Sequence, residues 1–391
     1  MTTPYPVNET ALIGLAVDLA RTPSVSGQEE AAVNLAAAAM TEAGFDAVHV
    51  DGSGNAVGTV GPTGGATIMI DGHIDSIPLH SIERWTVDPF GGEIRDEKLF
   101  GLGICDQKAS IAAAIWGVAA AAPTLRSRVV AVASVCEEEM EGGALAEPID
   151  RLAPDAFVTS EPNDTRLCIG QRGRAKIEVR VSGRACHAGH ASVGLNAGHA
   201  MAALIEGMAH LPHPTHARLG RRDLNCIDIH SDPYPSVSTI PGSVLARFDC
   251  RFLPGESPAS ILALFHTAAE TAWSSWSEKP GLEVNLVEAN FRTWTGQQFS
   301  LPEYAAAWWT PEESALVRGA VGALSSVGLD PTPTHYSFCT NGSYAAGICG
   351  IPSIGFGVGV ESMAHQVNEH VSLRSLRDGA QGYAALASML L

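Results

Sequence analysis

The chain has 391 residues, 46% of them hydrophobic, and a formal net charge of −18. It is longer than one ordinary domain and apolar enough for a large core, which excludes a disordered chain. The acidic balance argues against a nucleic-acid backbone or an anionic membrane surface as partner and leaves a small molecule.

In chain order, residues 9–20 and 28–43 read as helices. The second is opened by Ser26-Gly27-Gln28-Glu29 and closed near Gly44. The first residues lack a basic stretch followed by an apolar core and a small-residue cleavage site, so no signal peptide is expected. Residues 46–60 alternate between strand and turn types. The run Thr67-Ile68-Met69-Ile70 suits a buried strand that stops on Asp71-Gly72-His73-Ile74-Asp75. Residues 109–122 form an almost uniformly apolar, buried helix. Residues 129–135 form a second buried strand, stopping on Glu137-Glu138-Glu139, and 155–159 a third, stopping on Ser160-Glu161-Pro162. Each strand delivers carboxylates at its carboxyl end, where open α/β sheets place their sites.

Near Gly173 the pattern changes. Residues 176–181 alternate strictly, as in an antiparallel sheet with one wet face. A helix over 195–211, a strand over 244–252, a helix over 257–277 and a strand over 282–287 complete a β-α-β-β-α-β-like order. From Trp308 the buried pattern returns, with helices over 311–327 and 373–390. The expected fold is an α/β catalytic domain with a mixed, largely parallel sheet over 1–173 and 294–391. An α+β two-layer (ferredoxin-like) module over 174–293 interrupts it. No apolar run reaches the roughly 18 residues of a membrane-spanning helix. The eight cysteines are scattered with no CxxC pair and read as reduced thiols of a cytoplasmic protein.

The metal-capable residues at strand ends and nearby loops are His73, Asp75, Asp106, Glu137, Glu138, Glu161 and His365. Singly, each suits a solvated loop. Together, two imidazoles with three or more carboxylates suit two divalent cations of the zinc or manganese type. No Gly-x-Ser-x-Gly elbow supports a serine nucleophile.

Gly72-His73-Ile74-Asp75, the turn 103–106, Glu137-Glu138, Ser160-Glu161-Pro162, Cys186-His187 and Ala364-His365 occur in one order along nearly the whole chain. This set resembles the di-zinc metallopeptidase family of aminoacylase, carboxypeptidase G, acetylornithine deacetylase and succinyl-diaminopimelate desuccinylase. Trp85 to Gly91, Trp309-Thr310-Pro311-Glu312 and Thr340-Asn341-Gly342 resemble its branch of hydrolases linked to selenium metabolism. The resemblance implies two divalent ions: zinc, with manganese and cobalt as other candidates. His73 and Glu161 would complete one site, Glu138 and His365 the other, with Asp106 bridging them. Asp75 would orient His73, and the Asp106–Gln107 peptide would be cis. Glu137 would be the base toward a water held between the ions. His187, from the inserted domain, would contact the oxyanion in a partner's site, which implies a homodimer and makes the module a dimerisation and lid domain. Asn341, His190 and Arg251 are the substrate-binding candidates, with a strand-face salt bridge as the plainer reading of Arg251. Cys136 stands where many relatives carry aspartate and reads as a small buried residue. The tryptophans from 294 to 309 read as packing between domains.

The implied activity is cleavage of an amide bond in an N-acyl amino acid or short peptide. The alternative keeps the same metals for an aminohydrolase, deaminase or carbamoyl hydrolase that releases ammonia. A non-catalytic binding protein is the third reading, disfavoured because base and ligands are all retained.

Overall fold

A computed structural model of the chain describes residues 5–389. It divides into two compact units. Unit 1 comprises Met1–Gln171, Asn290–Phe299 and Trp308–Leu391; unit 2 comprises Arg172–Ala289 and Ser300–Ala307.

Unit 1 is built on a mixed sheet of nine strands. Its centre runs Arg128–Ser134, Thr67–His73, Ala156–Thr159, Ser353–Gly355, and these four neighbours are parallel. Antiparallel strands flank them: Ala47–Val50 and Ala56–Val60 on one side, Leu167–Gln171 and Trp308–Trp309 on the other. The central strands are buried almost throughout, as expected where helices cover both faces of a parallel sheet. One of these, Ala109–Ala121, is buried on almost every side. It meets Leu373–Ala387 closely: a Cβ on Gly117 would lie 2.3 Å from the Ala380 carbonyl oxygen, so only glycine fits that contact. Register aligns the carboxyl ends of the central strands, His73 opposite Ser134 and Asp71 opposite Thr159.

The Thr67–His73 strand continues past Ile70, where the sequence pattern ends it. Asp71, Gly72 and His73 still have partners in Val132, Ala133 and Ser134, so pairing carries the strand into its polar residues. The segment Leu167–Gln171 is a further strand that the pattern does not separate from its loop. The last helix ends at Ala387; position 390 of its expected range lies outside the described residues. Trp294 donates from Nε1 to the Gly54 carbonyl at 3.1 Å and Trp308 is buried in the sheet, so both pack within unit 1.

Unit 2 is a five-stranded antiparallel sheet with two helices. The order is Asp223–Asp232, Ser243–Phe252, Gly173–Ser182, Gly281–Leu286, and Tyr304–Ala305 also pairs with Gly173–Ser182. Ala197–Ala209 and Pro258–Ala272 supply the second layer. Ile177, Val179 and Val181 share one core with Leu204, Phe248, Phe265 and Trp273. Ser257 and Ser260 form a reciprocal capping box that starts Pro258–Ala272. The ten-residue strand Asp223–Asp232 is not legible as such, since it lies at the sheet edge and shows Ile227 and Ile229 to solvent.

Among the described residues, no helix is long and apolar enough to cross a membrane.

Candidate metal centre

The centre is built where the parallel strands of unit 1 end. His73 closes its strand and is buried. Its Nε2 lies 3.0 Å from Asp106 Oδ1, and its Nδ1 lies 3.1 Å from the Asp75 carbonyl oxygen and 3.5 Å from Asp75 Oδ1. The Asp75 oxygens at Nδ1 favour a proton there, so a neutral ring would turn its Nε2 lone pair toward the acidic cluster.

Asp75 also braces the next loop. Its Oδ1 accepts the Glu137 N–H at 3.1 Å, and its Oδ2 accepts the Glu138 N–H at 3.1 Å and the Ser26 hydroxyl at 2.7 Å. One buried carboxylate thus aims an imidazole and seats two glutamates. On the other side His365 Nε2 lies 2.9 Å from Glu138 Oε1 and 3.4 Å from Asp106 Oδ2. Asp106 stands between the two imidazoles, and its peptide bond to Gln107 is cis, as the resemblance implies.

Two sets of potential ligand atoms lie within 4.8 Å of one another: His73, Asp106 and Glu138, and His73, Glu137 and Glu161. Glu137 Oε1 is buried with no hydrogen-bond partner. Burial pushes the Glu137 carboxyl well above its ordinary range, and the Glu161 charge adds to this; Glu161 is raised by burial and then by Asp106. Burial also raises Glu138, against the hydrogen bond from His365. His365 is pushed up to about 9, chiefly by its bond to Glu138. Burial works against a charge on His73, yet its bonds to Asp106 and Asp75 lift it well above the usual imidazole range. Asp106 is lowered: burial opposes its charge, but the bond from His73 and the His73 and His365 charges together outweigh it. Crowded, buried acids of this kind persist where cations compensate them. Imidazole nitrogens mixed with carboxylates fit zinc-type ions better than an all-oxygen calcium site.

A pH dependence follows for the metal-stripped protein. Glu137 and Glu161 hold protons in the fold after the unfolded chain has lost them, so stability falls as pH rises above about 4.3 toward their folded values. The His365 contribution is complete below about 6.5 and is lost as pH passes about 9. Asp106 acts oppositely, losing its contribution as pH falls through its lowered value. Chelated protein is therefore expected to melt at a lower temperature at pH 9 than at pH 6. A scanning-calorimetry series showing the reverse order would refute this.

The remaining sequence candidates fall elsewhere. Asn341 is 2% exposed, and its amide is fully engaged inside unit 1. It donates to Asp71 Oδ2 at 2.8 Å and Ser134 Oγ at 3.1 Å, and accepts the Gly142 N–H. These bonds tie two strand ends to the acidic loop. In unit 2, Arg251 pairs with Asp249 at 2.7 Å along one strand. His187 and His190 are both exposed, their rings 5.8 Å apart. His187 Nδ1 accepts the Gly189 N–H at 3.1 Å, so a neutral ring carries its proton on Nε2. Cys136 directs Sγ to Glu29 Oε1 at 3.3 Å, and burial pushes its thiol up, which disfavours a thiolate ligand. Sequence reasoning missed Asp71, Glu29, Lys108 and Glu369, all buried at or beneath the site. The one available signal was acids and a lysine so close to the motif residues in otherwise apolar surroundings.

The description of peptidase family M20/M25/M40 matches residues 69–389. The chain belongs to this family. It is 28% identical over 381 residues to the uncharacterised protein YgeY of Escherichia coli (strain K12), covering 94% of this chain and 92% of that protein. It is 29% identical over 385 residues to a succinyl-diaminopimelate desuccinylase of Cereibacter sphaeroides, covering 93% and 94%. The fold is shared with the Bacillus subtilis YXEP protein, described as a dinuclear metal binding peptidase: TM-score 0.71 at 14% identity, covering 97% of this chain and 97% of that one. The family read from the motifs is thus the family that matches, and the chain is a hydrolase acting on C–N bonds.

Proposed function

We propose that this M20 hydrolase is a divalent-metal-dependent amidohydrolase that releases an amino compound from an N-acyl amino acid or a short peptide. The observation that carries the reading is Glu137: a buried carboxylate with an unpartnered oxygen, grouped with His73 and Glu161. His73, Asp106 and Glu161 would hold one ion, and Asp106, Glu138 and His365 the other, with zinc the first choice and manganese or cobalt the others. The desuccinylase name of one relative and the dinuclear peptidase description of another support this reading. When bound, such ions supply Lewis acidity toward a carbonyl oxygen and make water acidic enough to react near neutral pH.

The protein's own groups do the rest. Glu137 takes a proton from the attacking water at its free oxygen and returns it to the departing nitrogen. Asp75 keeps Glu137 and Glu138 at fixed height through their N–H groups. His187 of a second copy would donate from Nε2 to the oxyanion. The inserted unit has the strand order of a ferredoxin-like module and would serve as lid and dimerisation domain of a homodimer. Its cysteines are all free, which suits a reducing, cytoplasmic setting.

The test is a mass-spectrometric turnover screen of Zn²⁺- or Mn²⁺-loaded protein on N-acyl amino acids, dipeptides, carbamoyl compounds and aromatic amines. An acid and an amino compound are expected from an amide. Ammonia from a carbamoyl or aryl amine substrate, with amides untouched, would replace the reading by an aminohydrolase. On the amide so found, His187→Ala is expected to lower kcat by roughly 10²-fold with bound metal unchanged. Unchanged kcat would remove His187 from the oxyanion.

A further inference from the structure

We infer that Glu369 is a positioning residue of the metal centre, one that sets where the Asp106 carboxylate stands between the two imidazoles. The inference rests on the proposed metal-binding reading of that site. Glu369 is 1% exposed and lies four residues past His365. Its side chain accepts three backbone N–H groups of one turn: Gly103 on Oε2 at 3.0 Å, Cys105 on Oε1 at 2.7 Å and Asp106 on Oε1 at 3.1 Å. Its carbonyl oxygen accepts a fourth, from Gly101 at 3.1 Å. A buried carboxyl group taking three N–H groups is a strong clamp, because each of those donors would otherwise be left unpaired.

The clamp has a fixed anchor and a functional load. Its anchor is the strand His370–Ser372, which begins at the next residue and pairs with Lys98–Phe100, His370 opposite Phe100. Its load is Asp106, whose two oxygens face His73 at 3.0 Å and His365 at 3.4 Å. The turn has little room to settle elsewhere: Gly103 has φ 74°, and a Cβ there would meet the Ser76 Cβ at 2.9 Å. Glu369 therefore ties the chain segment that follows His365 to the turn of Asp106.

Glutamine at this position keeps the shape but replaces one oxygen by an NH2 group, which faces the N–H of Gly103 or those of Cys105 and Asp106. One or two of the three bonds are lost, and the turn shifts toward a new balance. Co²⁺ titration of chelated wild type and Glu369→Gln, read by calorimetry and by the visible Co²⁺ spectrum, tests this without any substrate. The expected result is about 10- to 100-fold weaker Co²⁺ binding in the folded variant with an altered spectrum, the range typical of groups that orient ligands. A merely structural role would lower the melting temperature and leave the spectrum and affinity of the folded protein alone, and that result would overturn the proposal. Should Glu369→Gln not fold, Glu369→Asp, which keeps the charge but withdraws it by one methylene, decides by the same criterion. Wild type that binds no Co²⁺ would overturn the metal reading beneath the proposal, and the proposal with it.

Discussion

Glu137→Gln, loaded with Zn²⁺, is expected to lose amide turnover by roughly 10²- to 10⁴-fold in kcat, the range for removal of a positioned acid–base group. That corresponds to about 3–5 kcal/mol in the barrier. Bound metal should not change, because the ligand set proposed for the two ions does not include Glu137. Nor should the fold suffer. The Glu137 carboxylate is raised by burial and by the Glu161 charge, so a neutral side chain of the same shape removes a repulsion at pH 8. Chelated Glu137→Gln should melt no lower than chelated wild type at that pH. Stopped turnover with intact metal and an unchanged melt identifies a base; a parallel loss of metal would instead make Glu137 a ligand, which its grouping with His73 and Glu161 also permits geometrically.

Asp106→Asn is expected to weaken binding of divalent cations by on the order of a hundredfold or more, measured by calorimetry or chelator competition. The bound rests on a comparison: groups that only orient a ligand are worth about 10- to 100-fold, and Asp106 itself faces both imidazoles. Asparagine preserves the N–H bond to Glu369 and a single carbonyl acceptor, but removes the charge that sustains both His73 and His365 in the cluster. Activity should fall with metal occupancy and recover in part at high Zn²⁺. Full occupancy and wild-type turnover in this variant would show that Asp106 bridges nothing.

Much of the site was visible in the sequence because the combination is physically costly. An apolar run buried on both sides, ending on acids, occurs three times, before His73, Glu137 and Glu161, and register places those ends side by side. A single such run would have meant little. What escaped the sequence depends on partners far along the chain. His73 belongs to the strand only because Ser134 continues to pair with it. Asn341 reads locally as part of a Gly-rich stretch, and nothing nearby in sequence announces its bonds to Asp71, Ser134 and Gly142 from three separate segments. Ser300–Ala307 returns to unit 2 through the pairing of Tyr304 with Ala175, for which local pattern carries no signal. Glu369 looks like an ordinary polar residue before a short strand, and its importance lies in three N–H groups more than 250 residues upstream.

The most direct test of the two-ion reading is anomalous diffraction at the zinc absorption edge from crystals of Zn²⁺-loaded protein. Two peaks are predicted, one bounded by His73 and Glu161, the other by Glu138 and His365, with Asp106 between them. A single peak, or none at these residues in protein that turns over an amide, would contradict it.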